Sequence, residues 1–265
     1  MPPLRELTIE TILEFISTSV KESGARGVVV GVSGGIDSAA VSTLCVRALG
    51  PEKVMNIFMP TESTPEEDFE DVKALCKGLG TKLEVVDISP ILSQISSILP
   101  NATDRCLLGN AKARVRMMVL YHYARLNRCV VMGTSNKSEL LIGYFTKFGD
   151  GGADFCPIGD LYKSEVRELA KVLGVPERIR NKIPSAGLWK GQTDEGEIGI
   201  SYDELDQILI GFELSLSNEE ISKRTGIPMH KVERIWSMHR DSVHKRKMPL
   251  IPKLGLRTVG LDWRE

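Results

Sequence analysis

The chain is 265 residues long, 42% hydrophobic and 26% charged, with 34 basic and 35 acidic residues and a formal charge of −1. A chain of that length and composition folds as one large globular α/β domain or two small ones, and so even a charge balance argues against a protein built chiefly to wrap nucleic acid. The five cysteines are scattered without a C-x-x-C pair, which argues against a disulfide frame or zinc knuckle, and no stretch approaches the roughly 20 apolar residues that span a bilayer.

The opening Met1-Pro2-Pro3 lacks the basic start and apolar run of a secretory signal, so the expected location is the cytoplasm. Further along, short β-branched runs alternate with longer stretches of helical period. Gly27 to Val32 reads as a strand, followed by a helix from Ser38 to Leu49. Val54 to Met59 is a second strand, Glu66 to Leu79 a helix, and Leu83 to Ile88 a third strand. After a less regular region, Asn110 to Leu126 has helical period and Cys129 to Met132 reads as a strand behind it. In that helix Ala111, Val115, Met118 and Val119 form the expected buried stripe, with Lys112 and Arg116 pointing elsewhere. This β-α-β-α order, with strands apolar on both faces, predicts a parallel sheet with helices on both sides in a single domain. The C-terminal part is mostly helical: Ser164 to Leu173, Asp203 to Phe212, Glu219 to Thr225 and Met229 to His239. Between them Pro184 to Gly199 has no period and reads as a mobile functional loop.

In a parallel sheet, ligands bind beyond the carboxyl ends of the strands. The run Gly31-Val32-Ser33-Gly34-Gly35-Ile36-Asp37-Ser38 sits there, between the first strand and its helix. Its glycines let the backbone approach an anion, the helix N-terminus offers unpaired N–H groups, and two serines add hydroxyl donors. No lysine follows the glycines as in G-x-x-x-x-G-K-[ST], and the spacing is not G-x-G-x-x-G. Asp37 can simply complement the helix dipole, or hold Mg²⁺ beside phosphates.

The Ser-Gly-Gly-Ile-Asp-Ser string resembles the ATP-pyrophosphatase (PP-loop) family, whose members cleave ATP between the α and β phosphates. Its fold, an adenine nucleotide α-hydrolase-like, Rossmann-like α/β arrangement, matches the expected element order. Other blocks are similar to NAD synthetases in family order: Asn110 to Met117, Gly133 to Glu139, Gly143 to Asp154, Leu161-Tyr162-Lys163, Pro184 to Trp189, Gln192 to Glu195, and His244-Lys245. The resemblance implies ATP- and Mg²⁺-dependent amidation of deamido-NAD by free ammonia, through an acyl adenylate, yielding NAD, AMP and pyrophosphate. It places ATP on Gly31 to Ser38, Thr134, Lys163 and Ser185, and Mg²⁺ on Asp37 and Glu139. It places deamido-NAD on Arg114, Lys147, Asp154, His244 and Lys245, with Asp37, Lys163 and Asp154 closest to the chemistry. It also implies a homodimer.

Several of these residues have plainer readings. Glu139 stands three residues after Asn136, the spacing of a capping box. Arg114 can be one charge on a solvated helix, Phe148 to Phe155 a flexible glycine-rich loop, and His244 to Lys247 a solvated basic run. Glutamine-dependent relatives carry an extra hydrolase domain to release ammonia. A first sheet strand near residue 27 leaves no room for one, so free ammonia, or ammonia handed over by a separate partner, is the expected nitrogen source. Two rival readings remain. One is another PP-loop adenylating synthetase, such as a tRNA-modifying enzyme. The other takes residues 218–239 as a helix-turn-helix DNA-binding module, since residues 218–247 hold eight Lys/Arg against four Asp/Glu.

Overall fold

A computed structural model describes residues 7–101, 104–189, 191–260 and 262; the Met1-Pro2-Pro3 start lies outside them. At its centre is a four-stranded sheet of β1 (Val28–Gly31), β2 (Val54–Phe58), β3 (Lys82–Val85) and β4 (Val130–Met132). All strand pairs are parallel and the order is β3-β2-β1-β4. The chain steps outward from β1 to β2 and β3, then returns to add β4 on the other side of β1. The point where strand order reverses therefore lies between β1 and β4, and a ligand crevice opens beyond their carboxyl ends.

Alternating side chains of β1 enter different cores. Val28 and Val30 face a layer made by α1 (Thr8–Glu22), α2 (Ile36–Leu49), α3 (Glu66–Leu79), α7 (Lys163–Val172) and α8 (Glu177–Arg180). Val29, with Ile57 and Val131, faces α4 (Ser89–Ile98) and α5 (Arg105–Asn127). Strands apolar on both faces thus sit between helices, as the β-branched runs predict. β3 departs from that pattern because it is an edge strand, with Lys82 and Val85 exposed.

Three elements correct the sequence reading. α1 places Ile12, Ile16 and Val20 on one buried face, a helical period that the element list left out. α4 occupies part of the region read as irregular, beginning on Ser89-Pro90 with proline in its first turn. Pro184 to Gly199 is not structureless throughout: Thr193 accepts from the Gly196 amide at 3.2 Å and caps α9 (Asp194–Ile198). Lys190 of that segment lies outside the described residues.

A further cluster is formed by α6 (Lys137–Ile142), α10 (Tyr202–Glu213), α11 (Asn218–Thr225) and α12 (Met229–Asp241). The helix pair read as a possible DNA-binding module buries Ile221, Ile227, Val232 and Ile235 in this cluster. Its packing unit does face the rest of the protein, in line with the plainer reading of two helices about a glycine turn. Beyond α12, residues 248–260 form no helix or strand, and Leu250, Leu254 and Leu256 are exposed. No helix among the described residues is long and apolar enough to cross a membrane.

Leu44 is fully buried in the layer beneath β1. Leu44→Ala should destabilise the fold by about 2–5 kcal/mol, since cavity cost adds to lost transfer energy; urea unfolding followed by circular dichroism measures it.

Candidate active site

The glycine loop leaves β1 at Gly31 and enters α2 at Ile36, at the carboxyl end of the sheet. Val32 extends the ladder by donating its amide to Ile57 O at 2.9 Å. Gly34 takes φ +83°, and a Cβ there would lie 3.2 Å from the Asp68 backbone, so both conformation and space demand glycine. Ser38 Oγ accepts from the Ser33 amide at 3.2 Å and donates to Gly35 O at 3.1 Å, closing the turn on itself. Among the described residues no side chain caps α2. Its first-turn amides therefore face the crevice with the positive end of the helix dipole, a setting for phosphate oxygens.

Opposite the loop stands Lys163, the first residue of α7 and almost fully buried at 2% side-chain exposure. Its Nζ donates to Asp37 Oδ2 at 2.6 Å and to Glu139 Oε1 at 3.5 Å, and lies 4.9 Å from the Tyr202 ring centroid. Burial alone would lower the Lys163 pKa, but the Asp37 and Glu139 carboxylates outweigh it and hold the ammonium above the usual lysine range. Glu139 is also shifted upward, but for it this favours the neutral form. Burial pushes its carboxyl up to about 8, with Lys163 opposing and Asp37 and Asp194 adding to the rise. Lys163 thus stands among three acids, Asp37, Glu139 and Asp194, crowded enough to raise the pKa of Glu139 and Asp194.

The capping box read from Asn136 and Glu139 is present: Asn136 Oδ1 accepts from the Glu139 amide at 3.1 Å, and Glu139 Oε2 from the Asn136 amide at 3.3 Å. The second oxygen of Glu139 is thereby turned toward Lys163, so cap and site role are compatible. Thr134 follows β4 in the layer of the glycine loop, partly buried.

Asn136, read from the sequence only as a cap, and two residues that sequence reasoning passed over, Tyr202 and Asp206, complete the centre. Asn136 also donates through Nδ2 to Asp37 Oδ1 at 2.9 Å, so Asp37 is gripped from two sides. Tyr202, fully buried, donates to Asp194 Oδ2 at 3.0 Å and to Glu139 Oε1 at 3.3 Å. Asp206, also fully buried, accepts the Ser138 hydroxyl at 2.5 Å and the Ser164 amide at 2.9 Å. Ser138 Oγ in turn accepts the Lys163 amide at 3.0 Å, so α6 and α10 together fix the start of α7. One signal was available: Asp206 is an acid four residues after Tyr202, inside the apolar stripe of Leu205 and Leu209.

A second group of expected residues gathers around α5 instead. Asn110, Ala113, Met117 and Tyr121 of α5 carry the loop 146–154: Thr146 Oγ1 donates to Asn110 Oδ1 at 2.9 Å and Tyr121 to Asp154 Oδ1 at 3.1 Å. Asp154 Oδ2 also accepts the Val131 amide at 2.7 Å, which ties this loop to β4. Lys147 on the loop lies over the Phe148 ring, and Arg114 is exposed on α5. The buried stripe of α5 is corrected: Met118 is 58% exposed, while Lys112 is 6% exposed and hence buried. The basic run after α12 is corrected as well. Lys245 donates to Gly143 O at 2.7 Å and Phe145 O at 2.8 Å, and Arg246 to Leu140 O and Leu141 O, so both clamp the chain leading into that loop. His244 is exposed, as is Ser185, whose hydroxyl accepts the Gly187 amide at 3.1 Å. Among the described residues no hydrogen bond joins Arg114, Lys147, His244 or Ser185 to the Lys163 centre.

The NAD synthase family model matches residues 8–249, spanning the glycine loop, Lys163 and the α5 group alike. The chain belongs to the NAD synthase family. It is 51% identical over 244 residues to an NH3-dependent NAD(+) synthetase of Hyperthermus butylicus, covering 91% of this chain and 88% of that one. A second such synthetase, from Methanococcoides burtonii, is 47% identical and is covered over 97% of its length. Among solved structures, NMN synthetase from Francisella tularensis superposes with a TM-score of 0.83 at 38% identity, with 93% of this chain and 98% of that chain covered. The α/β parallel-sheet fold expected from sequence is shared with this neighbour.

Lys163 is the one ammonium between the two carboxylates of the loop side and the β4 side. Lys163→Met should lower kcat at least about 10²-fold, the usual cost of removing one preorganised charge stabiliser, while circular dichroism stays native. A loss below tenfold would remove Lys163 from the chemistry.

Proposed function

We propose that the chain amidates deamido-NAD with free ammonia, using ATP and releasing AMP and pyrophosphate. The observation that carries this reading is the meeting of an uncapped helix N-terminus with the buried Lys163 between Asp37 and Glu139. The nicotinate carboxylate attacks the α-phosphorus of ATP, the α–β bridge breaks, and pyrophosphate leaves with the electron pair. Amides and hydroxyls of Ser33 to Ser38 hold the phosphates, with Thr134 and Ser185 as further ATP contacts. Lys163 spreads the negative charge that develops on the transferring group. Ammonia then attacks the activated carbonyl, loses a proton, and expels AMP to leave the amide. In this reading Arg114, Lys147, Asp154, His244 and Lys245 bind deamido-NAD, with Lys245 acting in part through the backbone it clamps.

The donor chemistry fits Mg²⁺. Asp37 and Glu139 are hard oxygen ligands on either side of Lys163, and Mg²⁺ is commonly held by one or two carboxylates plus substrate phosphates. When bound there it would neutralise charge on the pyrophosphate. Support for ammonia as the nitrogen source comes from the relatives named NH3-dependent, which match across almost their whole length. We also infer a cytoplasmic homodimer acting on small molecules, with no nucleic acid or membrane partner.

One comparison favours a second acceptor, since the Francisella tularensis neighbour is an NMN synthetase. Its identity of 38% is below the 51% and 47% shared with the NAD synthetases, which supports the dinucleotide.

With ATP, Mg²⁺, ammonium and deamido-NAD, the protein should form NAD, AMP and pyrophosphate in equal amounts and without added tRNA; ADP and phosphate as products would refute the scheme. In the same assay kcat/KM for deamido-NAD should exceed that for nicotinate mononucleotide, and the reverse order would assign the second acceptor. Chelation by EDTA should abolish turnover and added Mg²⁺ should restore it.

A further inference from the structure

Lys112 stands out as a buried cation on α5 with no carboxylate paired to it among the described residues. Its ammonium donates instead to two neutral acceptors, Leu188 O at 2.6 Å and Ser63 Oγ at 3.2 Å. Burial and the neighbouring Arg116 both push its pKa down, so the placement is costly and needs a reason.

Leu188 belongs to the segment between Ile183 and α9, and that segment docks on α5 one helical turn before Lys112. A Cβ at Gly109 would lie 3.2 Å from Leu188 Cδ1 and 3.3 Å from Trp189, so glycine there makes room for both side chains. From Leu188 a continuous chain of hydrogen bonds runs to the reacting centre. The Leu188 amide donates to Gln192 Oε1 at 2.7 Å, and Gln192 Nε2 donates to Glu197 Oε2 at 2.8 Å. Tyr144 donates to Glu197 Oε2 at 2.5 Å and to Asp194 Oδ1 at 3.2 Å. Tyr202 then links Asp194 to Glu139, whose other partner is Lys163. The segment's position is therefore tied at one end to the carboxylate pocket and at the other to a single lysine.

We propose that Lys112 is a positioning residue for the second half-reaction, a latch that holds the Leu188–Trp189 segment down as a lid while the adenylate waits for ammonia. This rests on the adenylation reading above. A charged donor suits the task because its bond to a carbonyl is strong when dry, yet both groups are solvated once the segment lifts. An apolar contact alone would be weaker in direction, and an ion pair would put a second charge under the lid. Closure keeps water from the activated carbonyl. If it fails, water attacks in place of ammonia, releasing AMP and regenerating deamido-NAD, so that ATP and water become AMP and pyrophosphate without any NAD.

The test is the ratio of AMP to NAD formed at limiting ammonium, in the wild-type protein, Lys112→Met and Leu188→Ala. The wild type should stay near one. Loss of a charged hydrogen bond shifts the closed population on the order of tenfold, so Lys112→Met should raise the ratio at least about twofold, falling back toward one as ammonium is increased. Leu188→Ala keeps the carbonyl that Lys112 holds but removes the side chain seated at Gly109, so it should uncouple in the same direction and by less. A folded Lys112→Met that stays at one, whatever Leu188→Ala does, would overturn the latch. A wild type that makes no AMP from deamido-NAD would instead overturn the reaction scheme.

Discussion

The buried ammonium of Lys163 joins three parts of the chain that are far apart in sequence. Asp37 comes from the turn after β1, Glu139 from the capping box after β4, and Lys163 from the start of α7. Bringing two carboxylates together in a buried place would be unfavourable without a cation between them, and burying that lysine would be unfavourable without the acids. Each group makes the others' position tolerable. The geometry is then fixed by fully buried groups, with Asn136 on Asp37 and Asp206 through Ser138 on α7.

The sheet explains why these parts can meet at all. Because β4 returns to the free side of β1, the loops that follow them are neighbours across the point of strand reversal. A glycine turn able to approach phosphates and an acid turned by a helix cap are thereby set side by side. The α5 face, carrying the 146–154 loop, lies on the opposite side of the sheet from α2 and α7. The proposed scheme thus divides phosphate handling and acceptor handling between different layers that share β4, through the Val131 amide bonded to Asp154.

Much of this was legible in the residues. β-branched runs marked the strands, and the Ser33 to Ser38 run marked the turn into a helix that no side chain caps, because local chemistry decides both. Glu139 was legible twice over, as a cap and as an acid at the right strand end. What escaped was non-local. Lys112 looked like one more charge on a helix, and only the fold shows Leu188 lying on it. Lys245 and Arg246 looked solvated, but their acceptors are carbonyls about a hundred residues away. Tyr202, Asp194 and Asp206 gain their meaning only from α10 packing against α6 and α7. The helix α9 was hidden because five residues are too few for a period to show.

The central claim is that this pocket activates a carboxylate by joining it to the α-phosphorus of ATP. Oxygen-18 in the nicotinate carboxylate of deamido-NAD tests that bond directly. After turnover with ammonia, analysis of the products by mass spectrometry should find one labelled oxygen in AMP and none in pyrophosphate. Label in pyrophosphate, or AMP free of label while NAD is made, would contradict the account.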